Sequence, residues 1–277
     1  MPGIDVSHYP YEGLPSVYTL SQSWVNTFMN CPEQARREML GMLPRKESDA
    51  TAIGTSMHAG IEAVLRGSNA EAGAAACATK LDELMALPEF EFVQIKTPET
   101  AHRTLERLYW TWCNEIYPQL PTPLLIEHSF DIMLYTDQQR EIRLRGAIDM
   151  VDEFGEIWDW KSAGRPYEQW EIDRYKIQPT AYAMGLLMST DPSMFDNAHP
   201  NDEVKFNYAV MMKSSQDCSV YSTTRTPAHW AWFTEQCVSI VKLIEANLDS
   251  WPLNDQHALC SPKWCAAWDT CKGSHGL

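Results

Sequence analysis

Residues 146–163 read GAIDMVDEFGEIWDWKSA, and the placement of two aspartates and one lysine in this stretch decides the fold. Successive side chains of a β-strand point to opposite faces. In IWDWKS (157–162), Trp158 and Trp160 therefore share one face, and Asp159 and Lys161 share the other. The tryptophan face suits a core. The opposite face carries a carboxylate beside an ammonium, which in isolation reads as a weak ion pair on a solvent-facing strand. Just upstream, in EIRLRGAIDMVD (141–152), Ile142, Leu144, Ile148 and Met150 alternate with Arg143, Arg145 and Asp149, again with period two. Gly155, in DEFGE, is suited to turn one strand into the next. An antiparallel pair closed there sets Asp149 and Asp159 on facing positions, with Lys161 beside them. Glu127, in LLIEHSFDIMLY (124–135), is placed to add a third carboxylate from the preceding strand.

Outward from this hairpin the pattern changes on both sides. Before it, Ser21 or Ser23 reads as the N-cap of a helix through WVNTFMN, and Pro32 starts a second helix, PEQARREML. Further helices are expected over 51–67, 69–90 and 97–120. The first 18 residues, rich in Pro, Gly and Tyr, read as an irregular arm. After the hairpin come a helical stretch at about 168–189, two strands at 203–213 and 218–226, an amphipathic helix from about 227 to 250, and a cysteine-rich tail. No internal repeat interrupts this order. The expectation is one α/β domain over 1–277, with a helical region at 20–120, a sheet core at 121–225 and a C-terminal helix with cysteines at 226–277.

The 277 residues carry 37 acidic and 22 basic side chains, a net charge of −15. A broad basic footprint for nucleic acid is thereby excluded, whereas a local basic groove beside a cation-binding acidic cluster is not. No apolar run reaches the ~18 residues of a membrane span, and the N-terminus lacks the basic-then-apolar pattern of a signal peptide. The expected location is cytoplasmic, in a bacterial, archaeal or virus-infected cell. Eight cysteines in such a chain point to metal ligation or core filling before disulfides.

Converging carboxylates repel one another unless a proton or a cation sits between them, and hard oxygen ligands suit Mg²⁺ or Mn²⁺. A lysine beside such an ion is equipped to position or activate water for metal-assisted hydrolysis of a phosphodiester. The 146–163 stretch resembles the G-x-x-D … D/E-x-K core of the PD-(D/E)xK nucleases. GTSMH (54–58) resembles the G-T-x-x-H motif of their RecB-like branch, which implies His58 as a metal ligand. QPTAY (178–182) resembles that branch's Q-x-x-x-Y motif, and LSQSWVNTFMNCP (20–32) the opening of members that carry an iron–sulfur cluster. The resemblance implies a restriction-endonuclease-like core, a central mixed sheet flanked by helices. It also implies a metal set of His58, Asp149, Asp159 and Glu127, with Lys161, Gln178 and Tyr182 in catalysis.

Glu171, Tyr175, Gln178 and Tyr182 step by four, three and four, as one helical stripe does, but Pro179 disfavours helix at Gln178 and predicts a kink or a helix start there. Glu62, one turn from His58, is a candidate to orient its ring. Gly54 and Gly60 flank His58 and are costly in a helix unless something packs close. Arg143, Arg145 and Arg165 are candidate contacts to a DNA backbone.

Cys260, Cys265 and Cys271 are one thiol short of a closed site, and Cys31 is the natural fourth, joining the two chain ends. The RecB-like resemblance implies a 4Fe-4S cluster there, although the late spacing of four then five residues departs from the usual two then five. Zinc is the alternative with the same four ligands. Trp264 and Trp268, with Lys263 and Lys272, form either a cover over that site or a single-strand track. The expected function is a Mg²⁺- or Mn²⁺-dependent exonuclease of viral or plasmid origin acting on single-stranded or end-accessible DNA in recombination, repair or replication, with recombination or replication proteins as partners. The alternative is a DNA-binding accessory with the nuclease fold and little catalysis.

Overall fold

A computed structural model describes residues 16–43, 47–195, 199–246, 249–255, 259–262 and 264–276. The elements run β1 (Val17–Ser21), α1 (Gln22–Asn30), α2 (Pro32–Met39), β2 (Glu47–Ser48), α3 (Asp49–Leu65), α4 (Ala70–Met85), β3 (Phe90–Glu91) and α5 (Pro98–Thr111). They continue with β4 (Pro123–Thr136), β5 (Glu141–Asp152), β6 (Ile157–Ala163), α6 (Gln169–Arg174), α7 (Gln178–Ser189), β7 (Val204–Met212), β8 (Cys218–Arg225) and α8 (Pro227–Ala246). The central sheet has the order β1-β5-β6-β7-β8, with β4 also paired to β5. It is mixed. β5 runs parallel to β1 and antiparallel to β4 and β6, while β6 runs parallel to β7 and β7 antiparallel to β8.

Helices cover both faces. Against one pack α3, α4 and α5, which meet Met150, Trp160, Ala209 and Met211 of the sheet. Against the other lie α1, α2, α7 and α8, which meet Ile142, Ile148, Ile157, Phe206 and Val210. Trp160 is buried with its ring edge-on to Trp112, at 5.7 Å between centroids. The tryptophan face of β6 is thus a core face, as its alternation requires. Asp159 points to the other side and is also buried, so the bland reading of a solvated ion pair does not hold.

Three local expectations need correction. First, the irregular arm ends earlier than expected: Val17–Ser21 is a strand whose last four residues are buried. It is too short to announce itself by periodicity, and it is held by parallel pairing to residues 141–145 of β5. Ser21 is the N-cap of α1, accepting from the Trp24 N–H at 3.3 Å. The rest of the arm, 1–15, lies outside the described residues. Second, 168–189 is not one helix. α6 ends at Arg174 and α7 begins at Gln178, with Pro179 in its first turn, where the missing N–H costs nothing. Third, β5 does not keep strict alternation. Ile142, Leu144, Ile148 and Val151 face the α7 side, but Met150 faces the α3 side. The switch of face falls at Asp149.

Glycine explains how closely α3 and α4 cross. A Cβ on Gly60 would fall onto Cys77 Sγ and lie 2.6 Å from the Gly73 carbonyl oxygen. The crowding that justifies Gly60 is therefore this helix contact. Gly54 is less constrained, since its Cβ would stand 4.0 Å from Ser162 Oγ.

Candidate active site

The strand register draws three acids into one row. Ile126 pairs with Met150 and His128 with Ile148, so Glu127 stands opposite Asp149 across β4 and β5. Met150 pairs with Trp158, so the same antiparallel register sets Asp149 opposite Asp159. The ladder between β5 and β6 stops at that pair. Beyond it the Asp149 side chain takes the place of a backbone partner, its Oδ2 accepting from the Trp160 N–H at 2.9 Å. Glu127 adopts a left-handed backbone, φ 50°, which is uncommon for a residue with a side chain and turns it out of the regular pleat.

From α3, His58 reaches over the same point. Its Nε2 donates to the Trp160 carbonyl oxygen at 2.8 Å, and its Nδ1 lies 3.4 Å from Asp149 Oδ2. This fixes the ring by one nitrogen and aims the other at the acids, the arrangement by which a carbonyl orients a metal-binding imidazole. One ligand atom each from His58, Glu127 and Asp149 lie within 4.8 Å of one another, the one such group of three among the described residues. Glu62 does not orient His58. It is drawn instead to Arg66 at 2.8 Å, and Arg66 also donates to the Ile126 carbonyl at 3.2 Å, bracing β4 beside Glu127.

Asp159 stands next to this trio rather than within it. Gln178 Nε2 donates to its Oδ1 at 2.7 Å, and Lys161 Nζ meets its Oδ2 at 2.7 Å as an ion pair. That contact is off hydrogen-bond alignment and leaves Oδ2 a buried oxygen with no other partner. Tyr208 donates to Gln178 Oε1 at 3.3 Å, which fixes the amide's orientation. Tyr182, one turn along α7, packs against Phe130 and Phe206, and its hydroxyl is pushed up by burial and by the Asp159 charge. Gln178 and Tyr182 thus belong to the site. The other half of the expected stripe does not: Glu171 pairs with Arg165 at 2.8 Å, and Tyr175 is exposed against Trp170. The break between α6 and α7 rotates the two halves apart.

The titration pattern is that of an anionic site holding protons where a cation belongs. Burial alone would lower the His58 imidazole, but the Asp149 carboxylate outweighs it and raises the group to about 9. Burial, reinforced by Asp149, lifts Glu127 to about 7. Burial also lifts Asp159, to about 6, against the opposing pull of Lys161. Asp149 is held below its usual range, because His58 outweighs the burial that would raise it. Lys161 is raised despite burial by Asp159 and Asp149. The side chain is therefore a fixed positive charge in this state, not the partly neutral amine that proximity to a cation would favour. A buried imidazole nitrogen, two further carboxylates and an under-used Asp159 oxygen are a donor set that fits a hard divalent ion.

The three arginines expected to meet DNA are otherwise engaged. Arg143 pairs with Asp131 at 2.6 Å and Glu141 at 2.5 Å, and Arg145 pairs with Asp131 at 2.7 Å. Two cations thus face two carboxylates along β4 and β5. Arg165 is exposed and paired to Glu171. Several groups that shape the site carried no sequence signal of their own: the Trp160 main chain, which serves His58 and Asp149 at once, and Tyr208, whose alternation with Phe206 and Val210 signals only core.

The segments around α2 and after α8 are joined by hydrogen bonds. Arg37 donates to Thr270 Oγ1 at 2.7 Å and to its carbonyl at 2.9 Å, Glu33 accepts from the Trp251 N–H at 3.1 Å, and Asn254 donates to the Asn30 carbonyl at 2.7 Å. The Cys265 thiol is raised mainly by burial, with smaller contributions from Cys260, Cys31 and Cys271. Cys77 and Cys237 are buried in the two cores as fillers; Cys113 and Cys218 pack at the edge of one of them. Trp268 packs on Gly273, and Lys272 pairs with Asp255 at 2.9 Å. Lys263 lies outside the described residues.

The model of the PD-(D/E)XK nuclease superfamily matches residues 19–272. The chain belongs to the PD-(D/E)XK nuclease superfamily. The matched span contains every residue of the row just described, and the mixed sheet flanked by helices is the expected core of that superfamily. Among solved structures, the crystal structure of SSO0001 is similar at 8% identity, covering 81% of this chain and 86% of that one, with a TM-score of 0.30. No curated protein matches the chain. Among the described residues, no helix is long and apolar enough to cross a membrane.

Proposed function

We propose that this PD-(D/E)XK chain is a Mg²⁺- or Mn²⁺-dependent deoxyribonuclease that works as an exonuclease on single-stranded or end-accessible DNA, in recombination, repair or replication. One observation carries the reading: His58, Glu127 and Asp149 gather their ligand atoms within 4.8 Å beside the Asp159–Lys161 pair. These three residues would hold the ion, with the spare Asp159 oxygen at its edge. When bound, the ion would polarise a phosphate oxygen and make a water more acidic.

The chain's own residues do the rest. Trp160 holds the His58 ring and the Asp149 carboxylate through its main chain, so the donor set is in place before substrate arrives. Lys161, kept charged by Asp159, offers a donor to a non-bridging phosphate oxygen as negative charge grows there. Gln178 holds Asp159, and Tyr208 holds Gln178, so Lys161 is positioned through two fixed partners. In the reaction a water oxygen bonds to phosphorus, the bond from phosphorus to the sugar oxygen breaks, and that oxygen leaves with a proton.

Cys31, Cys260, Cys265 and Cys271 would hold a 4Fe-4S cluster, supported by the resemblance of the 20–32 segment and by the hydrogen bonds from Arg37 to Thr270 that tie α2 to the cysteine-bearing tail. Such a cluster would be structural, closing nearly the whole chain into one loop.

The test is cleavage of end-labelled single-stranded DNA with Mn²⁺ by the wild type and by Lys161→Ala. The reading expects release of short products by the wild type and a loss of at least a hundredfold in the variant. Equal cleavage by both proteins sinks it.

A further inference from the structure

The elbow between α6 and α7 carries two cavities that share a wall. Lys176 and Ile177 line both. One, of about 170 Å³, reaches Lys161, Tyr167, Gln178 and Tyr208 and so opens on the active site. The other, of about 280 Å³, is bounded by Arg174, Thr180, Arg225, His229 and Trp232. A groove therefore leads from Lys161 across Lys176 to the start of α8.

Its charge is out of keeping with the rest of the chain. The protein carries −15 overall, yet among the described residues neither Arg174 nor Lys176 has an ion-pair partner. The Lys176 ammonium instead lies over the Tyr167 ring, 4.8 Å from its centroid. Of the nearby acids, Glu171 is paired with Arg165 at 2.8 Å, while Asp173, which also lines the larger cavity, keeps its charge and accepts from Thr223 Oγ1 at 2.8 Å and Gln169 at 3.0 Å, so the cations outnumber the one unpaired carboxylate. His229 Nδ1 accepts from the Thr226 N–H at 3.2 Å, so its proton sits on Nε2, a donor left for the groove. First-turn residues of both α7 and α8, Thr180, Ala228 and His229, line the larger cavity.

The groove is also rigid at its floor. Buried Arg225 donates to the Ile172 carbonyl at 2.8 Å, the Lys176 carbonyl at 3.2 Å and Thr180 Oγ1 at 3.1 Å. One guanidinium thus pins the end of α6, the elbow and the first turn of α7 to β8. Along the rim Trp232 is 47% exposed and offers a ring face beside Arg174 and Lys176. Cations alternating with aromatic faces along a groove are the pattern that holds a single strand, because every base has a face to stack and every nucleotide a phosphate.

We infer that a single DNA strand runs over this elbow on its way to or from Lys161, with its phosphates on Lys176 and Arg174 and a base against Trp232. The inference rests on the nuclease reading for its substrate, and it assigns DNA contact to residues other than Arg143, Arg145 and Arg165. The tail tryptophans have no part in it.

The experiment measures anisotropy of a fluorescein-labelled oligothymidylate with the full chain and no added divalent cation. Arg174→Ala/Lys176→Ala is expected to bind about tenfold more weakly. Its log-affinity against log-salt slope should be shallower by about 1.4, since each single-strand phosphate contact contributes about 0.7. Trp232→Ala is expected to lose about tenfold with the slope unchanged, as removal of a stacking face does. Thermal melting of each variant should match the wild type, because the three side chains make no buried hydrogen bond. Wild-type binding by variants of unchanged melting overturns the track, as does wild-type protein that fails to bind the strand. Cleavage by the wild type with Mn²⁺ is read separately. If the variants lose binding while the wild type never cleaves, the track stands and the nuclease reading fails.

Discussion

Cation binding at this site must displace protons, and the number is set by two residues. His58 is raised to about 9 and Glu127 to about 7, and both must be deprotonated to act as ligands. At pH 7, His58 is two units below its pKa, so about 99% of the sites carry a proton on the ring, and Glu127 is about half protonated. Binding one ion at pH 7 should therefore release about 1.5 protons. Apparent affinity should climb about tenfold per pH unit between 7.5 and 8.5 and flatten above about 9, where His58 is already neutral. The His58 proton alone weakens binding at pH 7 about a hundredfold relative to the plateau. Calorimetric titration with Mn²⁺ in buffers of different ionisation enthalpy counts the protons directly, without DNA. Glu127→Gln should lower the count at pH 7 by about 0.5 and leave the His58 slope. Release of no protons, or an affinity flat across pH 7–9, would contradict the assignment of these two residues as ligands.

The same shifts have a stability consequence without metal. Three acids or bases whose folded-state values lie above their ordinary ones bind more protons folded than unfolded between about pH 4 and 9, so metal-free stability should fall as pH rises through that window and recover on adding Mn²⁺; melting temperatures across pH with and without the ion check this. Arg66→Ala should release the strand beside Glu127 and weaken Mn²⁺ binding about tenfold, with little change in melting because the Arg66 side chain is half exposed. Gly60→Ala should cost about 2 kcal/mol by forcing α3 and α4 apart, read as a lower denaturant midpoint with unchanged slope. Cys271→Ser should abolish any brown colour of anaerobically purified protein and lower its iron content, whereas a zinc site would show neither colour nor iron.

Much of the sheet was legible because its signals are local. Gly155 makes the turn, and an antiparallel pair closed there sets Asp149 opposite Asp159 by arithmetic. Pro179 marked the start of a helix for the same reason: its missing N–H is harmless only in the first turn. What stayed hidden depends on partners distant in sequence. The strand Val17–Ser21 exists because residues 141–145 of β5 offer it an edge. The face switch at Asp149 and the left-handed Glu127 are announced by no period in β5 or β4. The two β5 arginines looked free because Asp131 lies on another strand. Asp159 looked like a metal ligand equal to Asp149, yet Gln178 and Lys161 turn it toward themselves. Lys176, with no motif of its own, matters only because the helix break sets it between two cavities.

The account rests most heavily on one ion seated among His58, Glu127 and Asp149. Anomalous diffraction from crystals grown with Mn²⁺ tests this without reference to any reaction. The expected result is a peak within bonding distance of His58 Nδ1 and of a carboxylate oxygen from both Glu127 and Asp149, with His58 Nε2 still on the Trp160 carbonyl. A peak elsewhere, or none at saturating Mn²⁺ above pH 8, would contradict it.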